Sequence, residues 1–135
     1  MPQLPARISH SAPFSLAGHT SPYPLQLTYS SETPWQVAID FPREAVTDRR
    51  PARWVVGREL LLDGLAAPCG EGDVRVWPQG RSTVLELRTR TGSAVLTVRA
   101  AALREFLNDT YALVPGGREA DHVDWDAVVT QLQER

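Results

Sequence analysis

The chain contains no lysine, so all 14 of its basic residues are arginine, set against 16 carboxylates for a formal net charge of -2. Non-specific nucleic-acid binding draws on clustered cations that displace counterions from phosphates. Here the arginines are spread along the chain, and the closest group, Arg49, Arg50 and Arg53, follows Asp48 in a turn-rich stretch. There is a single cysteine, Cys69, so no intrachain disulfide can form and an oxidising compartment gains no support. No apolar run approaches the roughly 20 residues that span a bilayer. The N-terminal residues lack a basic segment followed by an apolar run, so the expectation is a cytoplasmic protein that meets membranes only through a partner.

What is present is a chain of 135 residues, 42% hydrophobic and 22% charged, enough for one domain with a core of its own. The first 24 residues carry Pro2, Pro5, Pro13, Pro22 and Pro24 in a Ser-rich stretch, which predicts an irregular arm or an edge strand broken by turns. Residues 25–135 form the expected domain proper. Leu25, Leu27 and Tyr29 alternate with polar residues, as do Trp35, Val37, Ile39 and Phe41, giving two half-buried strands. A short strand is predicted over Arg53–Val56. One helical turn then follows from Arg58 to Asp63, with Gly64 placed to stop it in the left-handed conformation.

Pro68 to Gly72 predicts a loop. Asp73 to Pro78 alternates, with Val74 and Val76 on one face and Asp73, Arg75 and Trp77 on the other. A turn at Gln79-Gly80-Arg81 leads to a strand over Thr83–Arg90. Thr91-Gly92-Ser93 signals a tight hairpin, and Ala94, Leu96 and Val98 line the returning strand. The period then changes. Leu103, Phe106, Leu107 and Tyr111 fall at helical spacing, and Val114-Pro115-Gly116-Gly117 ends that helix. A second helix is predicted from Asp124, with Trp125, Val128, Val129 and Leu132 as its apolar stripe and Asp124 as its N-cap. Antiparallel strands followed by helices make the expected class α+β.

The search for catalytic chemistry finds no constellation. His10 and His19 lie in the predicted arm, which offers no rigid support for catalysis. His122 neighbours Asp121, Asp124 and Asp126, but the spacing matches no metal motif, and carboxylates at a helix start are accounted for as caps. Cys69 has no histidine predicted beside it to act as a base. Gly70-Glu71-Gly72 is followed by a strand and lacks the lysine a phosphate loop requires. No catalytic residue, metal or cofactor is therefore expected. The tryptophans remain. Trp35, Trp54 and Trp77 lie on or beside predicted strands, and Trp77 shares a face with Arg75 and Asp73, a composition common at binding hot spots. An amphipathic Trp covering a sheet edge is the other reading of Trp77.

The segment Gly70-Glu71-Gly72-Asp73-Val74-Arg75-Val76-Trp77-Pro78 resembles the signature of the SsgA-like proteins, regulators of sporulation and cell division in filamentous actinobacteria. Leu27-Thr28-Tyr29 with Trp35 to Phe41, Trp54-Val55-Val56-Gly57-Arg58-Glu59-Leu60-Leu61, and Ala94 to Gly116 are similar to further family blocks in the same order. Together they cover roughly residues 25 to 132. Val56-Gly57, Thr89-Arg90-Thr91-Gly92 and Thr33-Pro34-Trp35 depart from the family pattern and leave the subfamily open. The resemblance implies a twisted antiparallel sheet with helices at one end, similar to the Whirly-type single-stranded-DNA-binding proteins, in a homo-oligomer such as a trimer. It implies action at division septa, where one branch of the family recruits the tubulin-like division protein FtsZ and another helps to place it. Implied partners are FtsZ, other divisome proteins and other SsgA-like proteins, with Trp77, Arg75, Asp73, Trp54 and Trp35 as candidate contact residues. Single-stranded nucleic-acid binding is the alternative that the fold analogy raises. The charge balance speaks against it.

Overall fold

Eight strands join into one antiparallel sheet in the computed structural model, which describes residues 6–19, 21–42, 45, 52–90, 92–126 and 129. The strands are β1 (Arg7–Leu16), β2 (Tyr23–Ser30), β3 (Gln36–Phe41), β4 (Ala52–Gly57), β5 (Cys69–Glu71), β6 (Val74–Gln79), β7 (Ser82–Thr89) and β8 (Gly92–Arg99). Their order is β4-β3-β2-β1-β8-β7-β6-β5, so two four-stranded meanders meet where β1 pairs with β8. Helix α1 (Arg58–Gly64) carries the chain from one outer edge, β4, to the other, β5, and packs on β4, β5 and β6. A short helix can span that step only if the edges lie near each other. The sheet is therefore curled. Helix α2 (Ala100–Leu113) packs on β1, β7 and β8, and a 3-10 turn, Glu119–His122, follows it. The α+β class read from the sequence is the class observed.

Period-two alternation selects the inner face. Leu25, Leu27 and Tyr29 on β2, Val37 and Ile39 on β3, and Val74 and Val76 on β6 are all buried. They meet Leu103, Phe106 and Leu107, the apolar stripe of α2. Removing each such side chain from water contributes about 1.5–3 kcal/mol. The β6–β7 turn also follows the sequence reading: Gln79 pairs with Ser82, leaving Gly80 and Arg81 as the loop, with Gly80 at φ 61.

Four expectations need correction. Residues 7–16 are no irregular arm or edge strand, because β1 is interior and pairs with both β2 and β8. Its inner face reads Ile8, His10, Ala12, Phe14 and Leu16, with Ala12 and Phe14 buried. Pro13 faces Pro24 across the β1–β2 ladder, and each lies just outside its strand's other ladder, Phe14–Leu16 with β8 and Gln26–Thr28 with β3. A missing donor costs little there. Second, the predicted loop at Pro68 to Gly72 contains β5, which forms a tight hairpin with β6 around Gly72 at φ 59.

Third, Gly64 lies within α1 without a left-handed conformation, and Leu65 after it is also right-handed. Glycine is required there because a Cβ would stand 2.6 Å from Val76 Cβ. Fourth, the second helix starts after Asp124 as expected, behind a 3-10 turn, but its apolar stripe is not packed away, since Trp125 and Val129 are about half exposed. Val128 and Leu132 of its stripe lie outside the described residues.

Candidate interaction site

The outer face of β6 and β7 carries the first group of candidate residues. Trp77 pairs with Val84 and Arg75 with Glu86, all pointing away from the core. Val84 is nonetheless only 2% exposed, although it stands outside the main core cluster. Its cross-strand neighbours are Trp77 and Thr97, so the half-buried indole shields it on the outer surface. Arg75, Trp77, Glu86 and Arg88 line a groove of about 830 Å³ together with Cys69 and Gly70 of β5.

The second group gathers elsewhere. Trp35, Trp54 and Asp73 line a separate groove of about 470 Å³, with Val55, Val56 and Leu60. Trp54 is on the inner face of β4, paired with Ile39 and packed at the margin of the core. Trp35, just ahead of β3, is 50% exposed and meets Trp125 with ring centroids 6.5 Å apart. Trp125 is held in place by donating its indole N–H to Ala120 O at 3.0 Å. Asp73 sits in the β5–β6 turn, where its carbonyl accepts the Arg88 N–H at 2.9 Å. The five candidates therefore divide between two grooves. Glu71 and Val74 line both, which makes the β5–β6 hairpin the wall between them.

Three of the exposed arginines are engaged with acids. Arg53 binds both carboxylate oxygens of Asp40, at 2.7 and 3.0 Å, Arg118 lies 2.7 Å from Asp121, and Arg88 lies 3.7 Å from Glu86. Arg75 stands directly opposite the same Glu86. The lining of the larger groove is charge-balanced, Arg75 and Arg88 against Glu71 and Glu86.

Sequence reading missed Arg58, whose role depends on a partner 61 residues away. Only 1% exposed, it lies beneath the end of α2 and donates to Thr110 O at 3.0 Å, Val114 O at 2.8 Å and Glu119 Oε1 at 2.8 Å. Its guanidinium sits 3.8 Å from the Tyr111 ring centroid and 5.1 Å from that of Tyr29. Val114 O is at the helix C-cap, where carbonyls lack an intrahelical partner, while Thr110 O also accepts the Val114 N–H at 2.9 Å. A hydrogen bond from its own backbone N–H, then Arg58 and the Gly117 N–H, hold Glu119 below the usual carboxylate range against the opposing pull of burial. Burial pushes the Tyr29 hydroxyl up to about 12, with Arg58 opposing the rise. The only local signal was a charged residue opening an apolar helical turn.

His10 is held on β1, with Nε2 2.9 Å from Asp109 Oδ2 and its ring edge-on to Phe106, so the rigid support denied to it by the sequence reading exists. His19 Nδ1 meets the Tyr23 hydroxyl at 3.0 Å. Neither pair includes a serine, threonine or cysteine. Cys69 donates its thiol to Leu60 O at 3.3 Å, and burial, then Asp63, raise its pKa, which keeps the thiol protonated. Among the described residues no group of histidine, cysteine or carboxylate side chains could hold a metal ion. No helix among them is long and apolar enough to cross a membrane.

These features define an α+β protein built on a curled antiparallel sheet, with two surface grooves flanking an edge hairpin. Residues 23–119 match the profile of the family described as Streptomyces sporulation and cell division protein, SsgA. The chain belongs to that family. It is 38% identical over 117 residues to the sporulation-specific cell division protein SsgB of Thermobifida fusca, covering 82% of this chain and 83% of that one. It is also 38% identical over 115 residues to SsgB of Streptomyces coelicolor, covering 82% of each. The crystal structure of an SsgA-like sporulation-specific cell division protein from Thermobifida fusca superimposes with TM-score 0.78 at 35% identity, covering 97% of this chain and 98% of that one. A structure from work relating SsgB mutations to longitudinal cell division in Streptomyces coelicolor superimposes with TM-score 0.79 at 34% identity, covering 89% and 98%. A role in sporulation-associated cell division follows from this kinship.

Proposed function

We propose that the chain is a non-enzymatic regulator of sporulation-specific division that works by protein–protein contact at the septum, placing or activating the septation machinery. FtsZ, other divisome proteins and other SsgA-like proteins are its candidate partners, and self-association into a homo-oligomer, with a trimer as the assembly to test, belongs to the same reading. The observation that carries it is the distribution of exposed apolar side chains. Trp35 and Val55 border one groove, Trp125 abuts Trp35, and Trp77 with Arg75 borders the other groove. Aromatic and arginine side chains beside grooves are the usual anchors of protein interfaces. The excess of carboxylates over arginines, with Arg53, Arg88 and Arg118 each beside an acid, favours this over single-stranded nucleic acid, which wants a basic track beside stacking aromatics.

Pull-down of purified FtsZ and of other family members tests the reading. Trp77→Ala and Arg75→Ala are expected to keep the native circular dichroism spectrum and to weaken capture. Both variants unfolding, or capture equal to the parent by both, would count against it.

A further inference from the structure

The smaller groove lies along an open strand edge. β4 ends the sheet, so one side of its backbone has no strand partner, and among the described residues no backbone hydrogen bond reaches that side. Side chains from both faces of β4 line the groove: Trp54 and Val56 from the inner face and Val55 from the outer. A cleft lined from both faces presents the strand edge itself to whatever occupies it. Val55 stays 50% exposed, so the edge lacks the charged side chain that ordinarily blocks strand addition at its centre. Arg53 carries a charge one alternation away, but Asp40 already holds it.

The opposite wall has one sign of charge. Among the groove's lining residues Glu71 and Asp73 are acidic and none is basic. Glu71 reaches to 3.8 Å from the position a Cβ on Gly57 would take, which places its carboxylate beside the end of β4. The floor is apolar, from Trp54, Val56, Leu60 and Val74. Backbone donors and acceptors on one side, carboxylates on the other and an apolar floor together describe one ligand chemistry.

We propose that this groove takes an extended protein segment that adds as a strand to β4, seating apolar side chains on the floor and arginine or lysine against Glu71 and Asp73. The proposal rests on the protein-contact reading and adds to it the partner's chemistry and the mode of docking. Backbone pairing supplies affinity, and the acidic wall selects a basic over an acidic segment.

The test uses the full chain and three short synthetic peptides: alternating valine and arginine, alternating valine and glutamate, and the first with backbone N-methylation. Binding is read by tryptophan fluorescence and by amide shifts along β4. The valine–arginine peptide is expected to bind saturably and to shift the amides of residues 53–56. The glutamate and N-methylated peptides are expected to bind at least about tenfold more weakly. The doubly substituted Glu71→Arg, Asp73→Arg chain, both sites being exposed, is expected to reverse the preference between the charged peptides. Equal binding of the two charged peptides, indifference to N-methylation or an unchanged preference in the double variant would overturn the proposal. None of those results touches the pull-down, so the groove can fail while the protein-contact reading stands. A failed pull-down with peptide binding intact would separate the two in the other direction.

Discussion

Arg58 joins three parts of the molecule: the start of α1, the end of α2 and the 3-10 turn. Removing it takes the side-chain partner from Val114 O, one of two donors from Thr110 O and the ion-pair partner from Glu119, so Arg58→Ala is expected to cost about 3–5 kcal/mol, read as a shift in the urea midpoint. Arg58→Lys should recover little, since a point charge cannot serve three acceptors in one plane. The same cluster sets a pH dependence. The pKa of Glu119 is lowered on folding, so its contribution is full above the ordinary value of 4.5 and is lost as pH falls through the lower native value. The stability gap between the parent and Glu119→Gln is therefore expected to close in acid. Tyr29 acts at the alkaline end: raised to about 12 from 10.0, it favours the native state below pH 10, and that advantage is lost as pH rises towards 12. Little of this was visible in the sequence, because no periodicity links Arg58 to Glu119. The inner-face residues Leu25, Val37 and Leu96 were legible, since alternation is a local property.

Helix α1 shows why an element can be read correctly for the wrong reason. Its length is short because it only has to step between the two sheet edges, and Gly64 is set by the approach of Val76. Gly64→Ala is expected to cost about 1–3 kcal/mol through overpacking, and Val76→Ala in the same chain to recover part of it, as a double-mutant cycle in urea would measure. β1 was hidden by Pro13 within it, by the prolines on either side, and by His10 and Ala12 on its inner face, where larger apolar residues would have shown the alternation. Its central position makes it indispensable. A chain beginning after Leu16 is expected to lose cooperative thermal unfolding, because the two meanders would lose the strand that joins them. The candidate site was legible only in part. Alternation placed Arg75 and Trp77 on one face, but the separation of Trp35, Trp54 and Asp73 into a second groove arises from curvature, which strand patterns do not encode.

At the scale of the whole molecule, curvature brings two open edges together around α1 and leaves a hairpin with a groove on either side. The family membership ties the chain to sporulation and cell division. Trp77→Ala should lower stability by only about 1–2 kcal/mol, the cost of uncovering Val84, so that its effect on association can be measured in a folded protein. The most direct test of action by protein contact is a cosedimentation isotherm of the purified chain with assembled FtsZ, repeated with Trp77→Ala and with single-stranded DNA as competitor. The expected result is saturable cosedimentation, weakened about tenfold by the substitution and indifferent to the DNA. A chain that stays in the supernatant with FtsZ while binding single-stranded DNA in a steeply salt-dependent manner would contradict it.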